Sequence, residues 1–111
     1  MKLTNEFQSI RDWATERGLY AKGDLKTQFI KLQEEVGELA KAILKEDEEE
    51  TVDAIGDIVI VLVNLTQLAK LYKGHSVIEK MTLEDCVNSA YTVIANRKGK
   101  MENGTFVKDG V

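Results

Sequence analysis

Five acidic residues in this sequence are placed beside strongly apolar neighbours, in two groups. The first group lies in the segment E-E-V-G-E-L, and the second lies in and just before a long hydrophobic run. They are Glu34, Glu35 and Glu38, followed by Asp53 and Asp57. Because a carboxylate is costly to bury without a partner, acids beside a core need one. A ligand set of oxygens alone suits Mg²⁺ or Mn²⁺, which commonly also bind phosphate oxygens. The pattern therefore predicts a divalent cation that holds a phosphate chain.

Two neighbouring helices would position these acids. Apolar periodicity predicts a helix over residues 25–45, with its three glutamates on an arc about 100° wide beside the apolar face. A further helix over residues 48–73 is apolar on most sides, except along a line of the two aspartates and Asn64, which is typical of a buried helix. Helices joined by a short turn pack antiparallel, so the two acid groups should face each other. The alternatives are solvated acidic faces and, over residues 58–63, a buried strand.

The acid run E-D-E-E-E, residues 46–50, joins these two helices. Asp47 is placed to cap the second helix, and Glu50, three residues later, is placed as its capping-box partner. Acids at a helix N-terminus also suit the helix dipole. We interpret this run as a solvated turn with a cap, rather than as part of a binding site.

The remaining elements are also helical. A helix is predicted over residues 3–17 and a loop over residues 19–24. A helix is also predicted over residues 83–97, with Thr82 as its cap and Asp85, three residues later, as the capping-box partner. Asn103-Gly104 lies between two short runs and favours a two-residue hairpin turn. The predicted fold is all-α, with four helices and a short C-terminal hairpin or extended tail.

Composition excludes several function classes. A chain of 111 residues with no composition break predicts one domain over residues 1–111. The net charge of -4 and the clustered acids argue against nucleic acid as a partner. One cysteine, Cys86, and one histidine, His75, argue against a disulfide and a zinc site. A polar N-terminus and a longest apolar run of only residues 58–63 predict a cytoplasmic protein with no membrane partner.

The two acid motifs together resemble a known family. E-E-V-G-E-L (34–39) followed by D-A-I-G-D (53–57) is similar to the all-α nucleotide pyrophosphohydrolases, the MazG-like enzymes related to dimeric dUTPases and phosphoribosyl-ATP pyrophosphohydrolases. Trp13 on the first helix, K-L-Q-E-E and A-N-R-K-G-K extend the resemblance over most of the chain. It implies helical subunits in a homodimer or homotetramer, bound Mg²⁺ (or Mn²⁺), and hydrolysis of a nucleoside triphosphate to monophosphate and pyrophosphate.

The resemblance also implies roles for individual residues. Glu35, Glu38 and Asp57 would be metal ligands, while Glu34 would be a further ligand or would orient the attacking water. Glu34 and Glu35 are thus the candidate catalytic carboxylates. The implied phosphate contacts are Asn96, Arg97, Lys98 and Lys100.

Three further candidate substrate contacts come from the residues themselves. Trp13 is placed either to stack on a base or to join the core. Asn64 is placed either to contact a ligand or to satisfy a neighbouring helix. Lys31 lies near the glutamate arc, where a substrate phosphate or the glutamates themselves are its candidate partners.

One position departs from the family's pattern E-E-x-x-E followed by E-x-x-D. The glutamate of E-x-x-D falls at Ala54, which cannot bind a metal. Asp53, one residue earlier, is a candidate replacement, although one residue rotates a helical side chain by about 100°. Two alternatives therefore stay open: an enzyme specific for a nucleotide such as dUTP or dCTP, and a non-catalytic helical assembly or regulatory module that keeps the fold.

Overall fold

The computed structural model describes residues 3–70 and 82–110, which form helices and one β-hairpin. The predicted all-α class and C-terminal hairpin are confirmed. The predicted end of the helix over residues 48–73 and the one histidine, His75, lie outside the described residues. The elements are α1 (Leu3–Glu16), α2 (Leu19–Lys22), α3 (Leu25–Leu44), α4 (Glu48–Ala69), α5 (Leu83–Ala95), β1 (Gly99–Glu102) and β2 (Thr105–Lys108).

The pair α3 and α4 forms the main packing unit, as the short turn between them predicted. Glu46 adopts a left-handed conformation (φ 55°) and reverses the chain. The Asp47 amide then donates to the Ala42 carbonyl oxygen at 3.0 Å, and the Asp47 carboxylate accepts from the Glu50 amide at 3.0 Å. These bonds end one helix and begin the next within three residues, so the two acid-bearing segments lie against each other.

Helix α4 is buried over only part of its length in the single chain. Its C-terminal half is enclosed and includes Val61, Val63 and Leu68. Its N-terminal half leaves Val52 65% and Ile55 52% exposed, so the expected burial of the whole helix is not met within one chain. By length and composition alone α4 could cross a membrane, but the core helix of a soluble protein passes the same test.

The predicted loop over residues 19–24 instead contains the short helix α2. Gly18 takes a left-handed conformation (φ 76°), which ends α1 and starts a new helical turn at once. The amides of Lys22 and Gly23 donate to the carbonyl oxygens of Gly18 and Leu19, at 2.9 and 2.7 Å. One isolated turn is too short to have a detectable apolar period, which is why the periodicity indicated a loop.

Helix α5 is anchored at its beginning. Thr82 and Asp85 form a capping box, as the sequence predicted. The Arg11 guanidinium donates two hydrogen bonds, of 2.8 and 2.7 Å, to the Glu84 carboxylate. From Val87 onward every described residue is exposed, so the rest of α5 and the hairpin project from the helical body.

The C-terminal hairpin follows the predicted turn chemistry. Glu102 pairs with Thr105 across the two-residue turn, and the strands are antiparallel. Asn103 (φ 50°) and Gly104 (φ 82°) both take positive φ, as the favoured two-residue hairpin turns require.

Candidate functional site

Acidic side chains from α3 and α4 line one open pocket of about 220 Å³. The pocket brings together four of the five acids singled out in the sequence and adds one more. Ala54 is the one lining residue that is not acidic. The lining residues are Glu35, Glu38, Glu50, Asp53, Ala54 and Asp57.

Helical spacing explains how the pocket forms. On α4 the four lining positions 50, 53, 54 and 57 follow the i, i+3, i+4, i+7 pattern of a single face. On α3 the two glutamates are three residues apart and therefore also share a face. Ala54, 5% exposed, is the buried member of the lining.

Lys31 neutralises one side of the pocket. Its Nζ atom lies 3.3 Å from Oε1 of Glu35, whose side chain is only 13% exposed. It also lies 3.8 Å from Oε2 of Glu34, which is exposed and does not line the pocket. A substrate contact for Lys31 stays a prediction, and in this structure its partners are the two glutamates.

The other carboxylates of the pocket are unpaired. Within residues 3–70 and 82–110, no side chain forms an ion pair or hydrogen bond with the carboxylates of Glu38, Glu50, Asp53 or Asp57. Four uncompensated negative charges around one cavity focus a negative potential there. Such a potential attracts cations, and it costs free energy through like-charge repulsion when no cation is present.

The carboxylates that line the pocket are of the chemical type that binds a hard divalent cation. Their oxygens are the ligands that Mg²⁺ and Mn²⁺ prefer. Across the described part of the chain, no three His, Cys, Asp or Glu side chains stand close enough together to hold a metal ion. The carboxylates line the pocket separately, so a shared cation requires side-chain rotations that exposed carboxylates make readily.

Glu50 is a pocket residue that the sequence reasoning missed. It was expected to close a capping box with Asp47, and that expectation is wrong. Only its backbone amide donates to Asp47, while its carboxylate lines the pocket. The signal was present, because Glu50 lies three residues before Asp53 and seven before Asp57, on their face of α4.

Trp13 lines a second, apolar pocket of about 290 Å³ together with Ile10 and Ile60. The indole is 49% exposed, and the Arg17 guanidinium carbon lies 4.3 Å from its ring centroid. Ile60 follows Asp57 by three residues, a rise of about 4.5 Å along the helix. One lining residue of the apolar pocket, Ile60, is therefore about one turn of α4 from one lining residue of the acidic pocket, Asp57.

Asn64 does not line the acidic pocket. It is 3% exposed, and its Oδ1 accepts a hydrogen bond of 2.6 Å from the Tyr20 hydroxyl. Burial raises the pKa of Tyr20, so the phenol retains the proton that it donates. This bond satisfies Asn64 without a ligand, and a substrate contact at Asn64 stays a prediction.

The basic segment at the end of α5 is exposed and does not line the acidic pocket. The Asn96 side-chain amide donates to the Thr92 carbonyl oxygen at 3.0 Å, and Lys100 Nζ lies 3.4 Å from Oε1 of Glu102 on the same strand. Arg97 and Lys98 lie between them. Phosphate contacts from this segment stay a prediction.

Comparisons with known proteins place the acidic pocket in a recognised domain. The family model described as the MazG nucleotide pyrophosphohydrolase domain matches residues 25–100, more than half of the chain. A relative from Haemophilus phage HP1, an uncharacterised 18.2 kDa protein in the rep-hol intergenic region, is 39% identical over 74 residues. That match covers 67% of this chain but only 44% of the relative, so the chain spans less than half of its length. No solved structure matches the chain significantly.

Proposed function

The chain belongs to the MazG nucleotide pyrophosphohydrolase family, and from this premise we propose that it hydrolyses nucleoside triphosphates to the monophosphate and pyrophosphate. The observation that carries the proposal is the acidic pocket, which lies wholly within the matched residues 25–100. Its unpaired carboxylates form the kind of all-oxygen site that a cation and a phosphate chain would occupy.

In the proposed reaction a water oxygen attacks the α-phosphorus. The bond from that phosphorus to the α,β-bridging oxygen breaks, pyrophosphate leaves, and a carboxylate accepts the proton of the water. When bound, Mg²⁺ or Mn²⁺ would neutralise phosphate charge and polarise the phosphorus. The residues proposed to hold it are Glu35, Glu38, Asp53 and Asp57.

Glu34 and Glu35 are the proposed catalytic carboxylates on α3. Glu35 lies in the pocket with its side chain largely covered, which suits a group that positions a water against the phosphate. Glu34 is exposed and shares Lys31 with it, so its proposed role is to orient the approach rather than to bind inside the pocket. Lys31 forms ion pairs with both carboxylates.

The nucleoside is proposed to lie outside the acidic pocket. At about 220 Å³, the pocket is smaller than the roughly 300–1,000 Å³ of a typical small-molecule site, so it suits a cation and phosphates alone. Trp13 lines an apolar pocket with Ile60, which is about one turn of α4 from Asp57, and it offers an exposed aromatic ring for the base. A restricted specificity, such as for dUTP or dCTP, would be set there.

We also propose that two or four copies associate. Large apolar side chains are exposed on α1, α3, α4 and α5, and the Cα radius of gyration is 16.6 Å, against about 13 Å for a compact domain of 100 residues. Exposed apolar area of this extent marks an interface. Light scattering after size-exclusion chromatography should give a dimer or tetramer mass; a monomer mass would overturn this proposal. The exposed side chains include Val36, Ile43, Val52, Ile55, Val87, Tyr91 and Ile94.

The alternative function is a non-catalytic assembly module, which Ala54 favours because it leaves one position of the acidic face without a donor. The deciding experiment incubates the protein with each (d)NTP and Mg²⁺ and measures pyrophosphate. Matched variants are Glu38→Gln, in the pocket, and Glu49→Gln, an exposed acid of α4 outside its lining.

Three outcomes separate the possibilities. Pyrophosphate from the wild type and Glu49→Gln, with a fall of at least about 100-fold in Glu38→Gln, is the expected result. Release of orthophosphate would move the cleavage to another bond and overturn the proposed reaction. No product from any nucleotide would favour the assembly module.

A further inference from the structure

We propose that Glu6 and Ser9 make the apolar pocket beside Trp13 selective for a base that carries an exocyclic amino group, cytosine or adenine, against uracil and thymine. This inference rests on the proposed function, in which that pocket receives the base. Three features of the structure carry it: the face of α1 that lines the pocket, the hydrogen bonding of its two polar side chains, and the position of the pocket along α4.

One face of α1 forms most of the pocket. The lining positions 6, 9, 10 and 13 follow the i, i+3, i+4, i+7 pattern of a single helix face. Ile10 and Trp13 supply apolar surface, and Ile60 of α4 completes the lining. Glu6 and Ser9 are the two lining residues whose side chains end in oxygen. Because they are three residues apart, their Cβ atoms are separated by about 5–6 Å, so one small ligand group between them can contact both.

Both of these side chains are set to accept hydrogen bonds. The Ser9 hydroxyl already donates its proton to the Asn5 carbonyl oxygen at 3.0 Å, so only its lone pairs remain. An ionised Glu6 carboxylate has no proton to donate, and no described side chain forms an ion pair or hydrogen bond with it. The Arg17 guanidinium lies over the Trp13 ring, donates to the Trp13 carbonyl oxygen at 3.2 Å and does not line the pocket. The lining side chains therefore present two acceptors and one donor, the Trp13 indole N–H.

An exocyclic amino group matches the two acceptors. Its two N–H bonds point to different partners, and a hydrogen bond to a carboxylate is stronger than one between neutral groups. Cytosine carries this group at N4 and adenine at N6, whereas uracil and thymine carry a carbonyl oxygen, O4. The ring N–H of uracil lies between two carbonyl oxygens, so it cannot approach a carboxylate without bringing another acceptor close. The pocket thus attracts the amino group and repels the carbonyl, and selectivity comes from both effects.

The position of the pocket along α4 suits the base of a nucleotide whose phosphates lie in the acidic pocket. Ile60 lines the apolar pocket and Asp57 lines the acidic one. These two residues are three apart, so they share a face of α4 and are separated by a rise of about 4.5 Å. A nucleotide that lies along this face would place its phosphates beside Asp57 and its base beside Ile60.

The fluorescence of Trp13 tests the proposal without turnover, because Trp13 is the one tryptophan of the chain and lines the pocket. The probes are dCMP and dUMP, which differ only at the base edge. The wild type should bind dCMP at least about 10-fold more tightly than dUMP. In Glu6→Gln the side-chain amide can donate as well as accept, so the two affinities should come within about three-fold of each other.

Matched variants separate base selection from lost structure. Glu16→Gln removes an exposed acid of the same helix that does not line the pocket, and it should keep the wild-type preference. Ser9→Ala should weaken dCMP binding by about three-fold or more and change dUMP binding by less than about two-fold, since only the amino group uses this acceptor. Thermal unfolding followed by circular dichroism verifies that each variant is folded.

Three results would overturn the proposal. They are equal binding of dCMP and dUMP by the wild type, no response of the Trp13 fluorescence to either nucleotide, and an unchanged preference in folded Glu6→Gln. A preference for dCMP that Glu6→Gln loses and Glu16→Gln keeps is the expected result.

Pyrophosphate release from dCTP and dUTP distinguishes this proposal from the function on which it rests. If dCMP binding depends on Glu6 but no nucleotide yields pyrophosphate, the base selection stands and the proposed hydrolysis is overturned. If the wild type and Glu6→Gln release pyrophosphate equally from dCTP and dUTP, the hydrolysis stands and the base selection is overturned.

Discussion

Two helices of this protein begin with an acid three residues after the capping residue, and they use that acid differently. At the start of α5, Asp85 accepts from the Thr82 amide and hydroxyl, and its neighbour Glu84 binds Arg11 through two hydrogen bonds. At the start of α4, the Glu50 side chain forms neither a capping hydrogen bond nor an ion pair among the described residues, and it lines a pocket. The acids at the start of α5 form hydrogen bonds that stabilise the fold. The Glu50 carboxylate at the start of α4 has no such bond among the described residues.

The difference indicates where to look for function. Paired carboxylates lower the free energy of the folded state, and a cluster of unpaired ones raises it through mutual repulsion. Local arrangements that oppose stability are expected at sites that bind ligands. Removing an acid from α5 should therefore reduce stability with little effect on activity, and removing one from the α4 pocket should do the reverse.

The largest expected effect is at Asp57. Asp57→Asn should lower pyrophosphate release by at least about 100-fold, which corresponds to about 3 kcal/mol in the activation barrier, because the pocket loses a proposed metal ligand. In metal-free buffer its melting temperature should equal or exceed that of the wild type, since one repelling charge is gone. Activity assays and thermal unfolding measure the two effects. A variant that is less stable but fully active would reverse the assignment of the two regions.

Much of this contrast could be predicted from the sequence. Apolar periodicity located all the long helices, and the pair Thr82 and Asp85 predicted the capping box that the structure contains. The spacing of acids along α3 and α4 predicted that Glu35 and Asp57 would face one cavity. These features depend on contacts within one or two turns of helix, which a sequence pattern encodes directly.

What the sequence did not predict depends on contacts that a local pattern does not encode. Asp47 and Glu50 form an acceptable capping-box sequence, yet the box stays open because the Ala42 carbonyl oxygen already accepts from the Asp47 amide. Likewise the pattern of α4 indicates which sides are apolar, but not that Val52 and Ile55 are left uncovered in one chain. In both cases the neighbouring structure decides between equally good local choices.

The next effect in size is expected at Glu84. Glu84→Gln should destabilise the protein by about 2 kcal/mol, because it removes charged hydrogen bonds and leaves Arg11 without its counterion; the Arg11 side chain is 11% exposed. Urea unfolding measures the loss, and Glu16→Gln, an exposed acid of α1, serves as control with a change within about 0.5 kcal/mol. Turnover per folded molecule should not change. A loss of activity in folded Glu84→Gln would link α5 to the pocket.

The same pair gives a pH dependence of known sign. Hydrogen bonding to Arg11 holds the pKa of Glu84 below its ordinary value of 4.5. The folded state therefore gains stability from Glu84 above that ordinary value, and loses it as the pH falls through the lower folded pKa. The difference in unfolding free energy between wild type and Glu84→Gln should be full at pH 6 and shrink toward acid pH. A difference that stays constant from pH 6 to pH 3 would contradict the ionic origin of the stabilisation.

The smallest expected effect compares the two helix starts directly. Asp85→Ala should cost about 1 kcal/mol, because it removes the acid half of a closed capping box. Glu50→Ala should cost less, because its carboxylate accepts no capping hydrogen bond, and the relief of repulsion with Asp53 and Asp57 offsets the loss of its interaction with the helix dipole. Urea unfolding in metal-free buffer measures both variants. If Glu50→Ala costs as much as Asp85→Ala, the capping box of α4 is closed in solution, and Glu50 is then a structural residue.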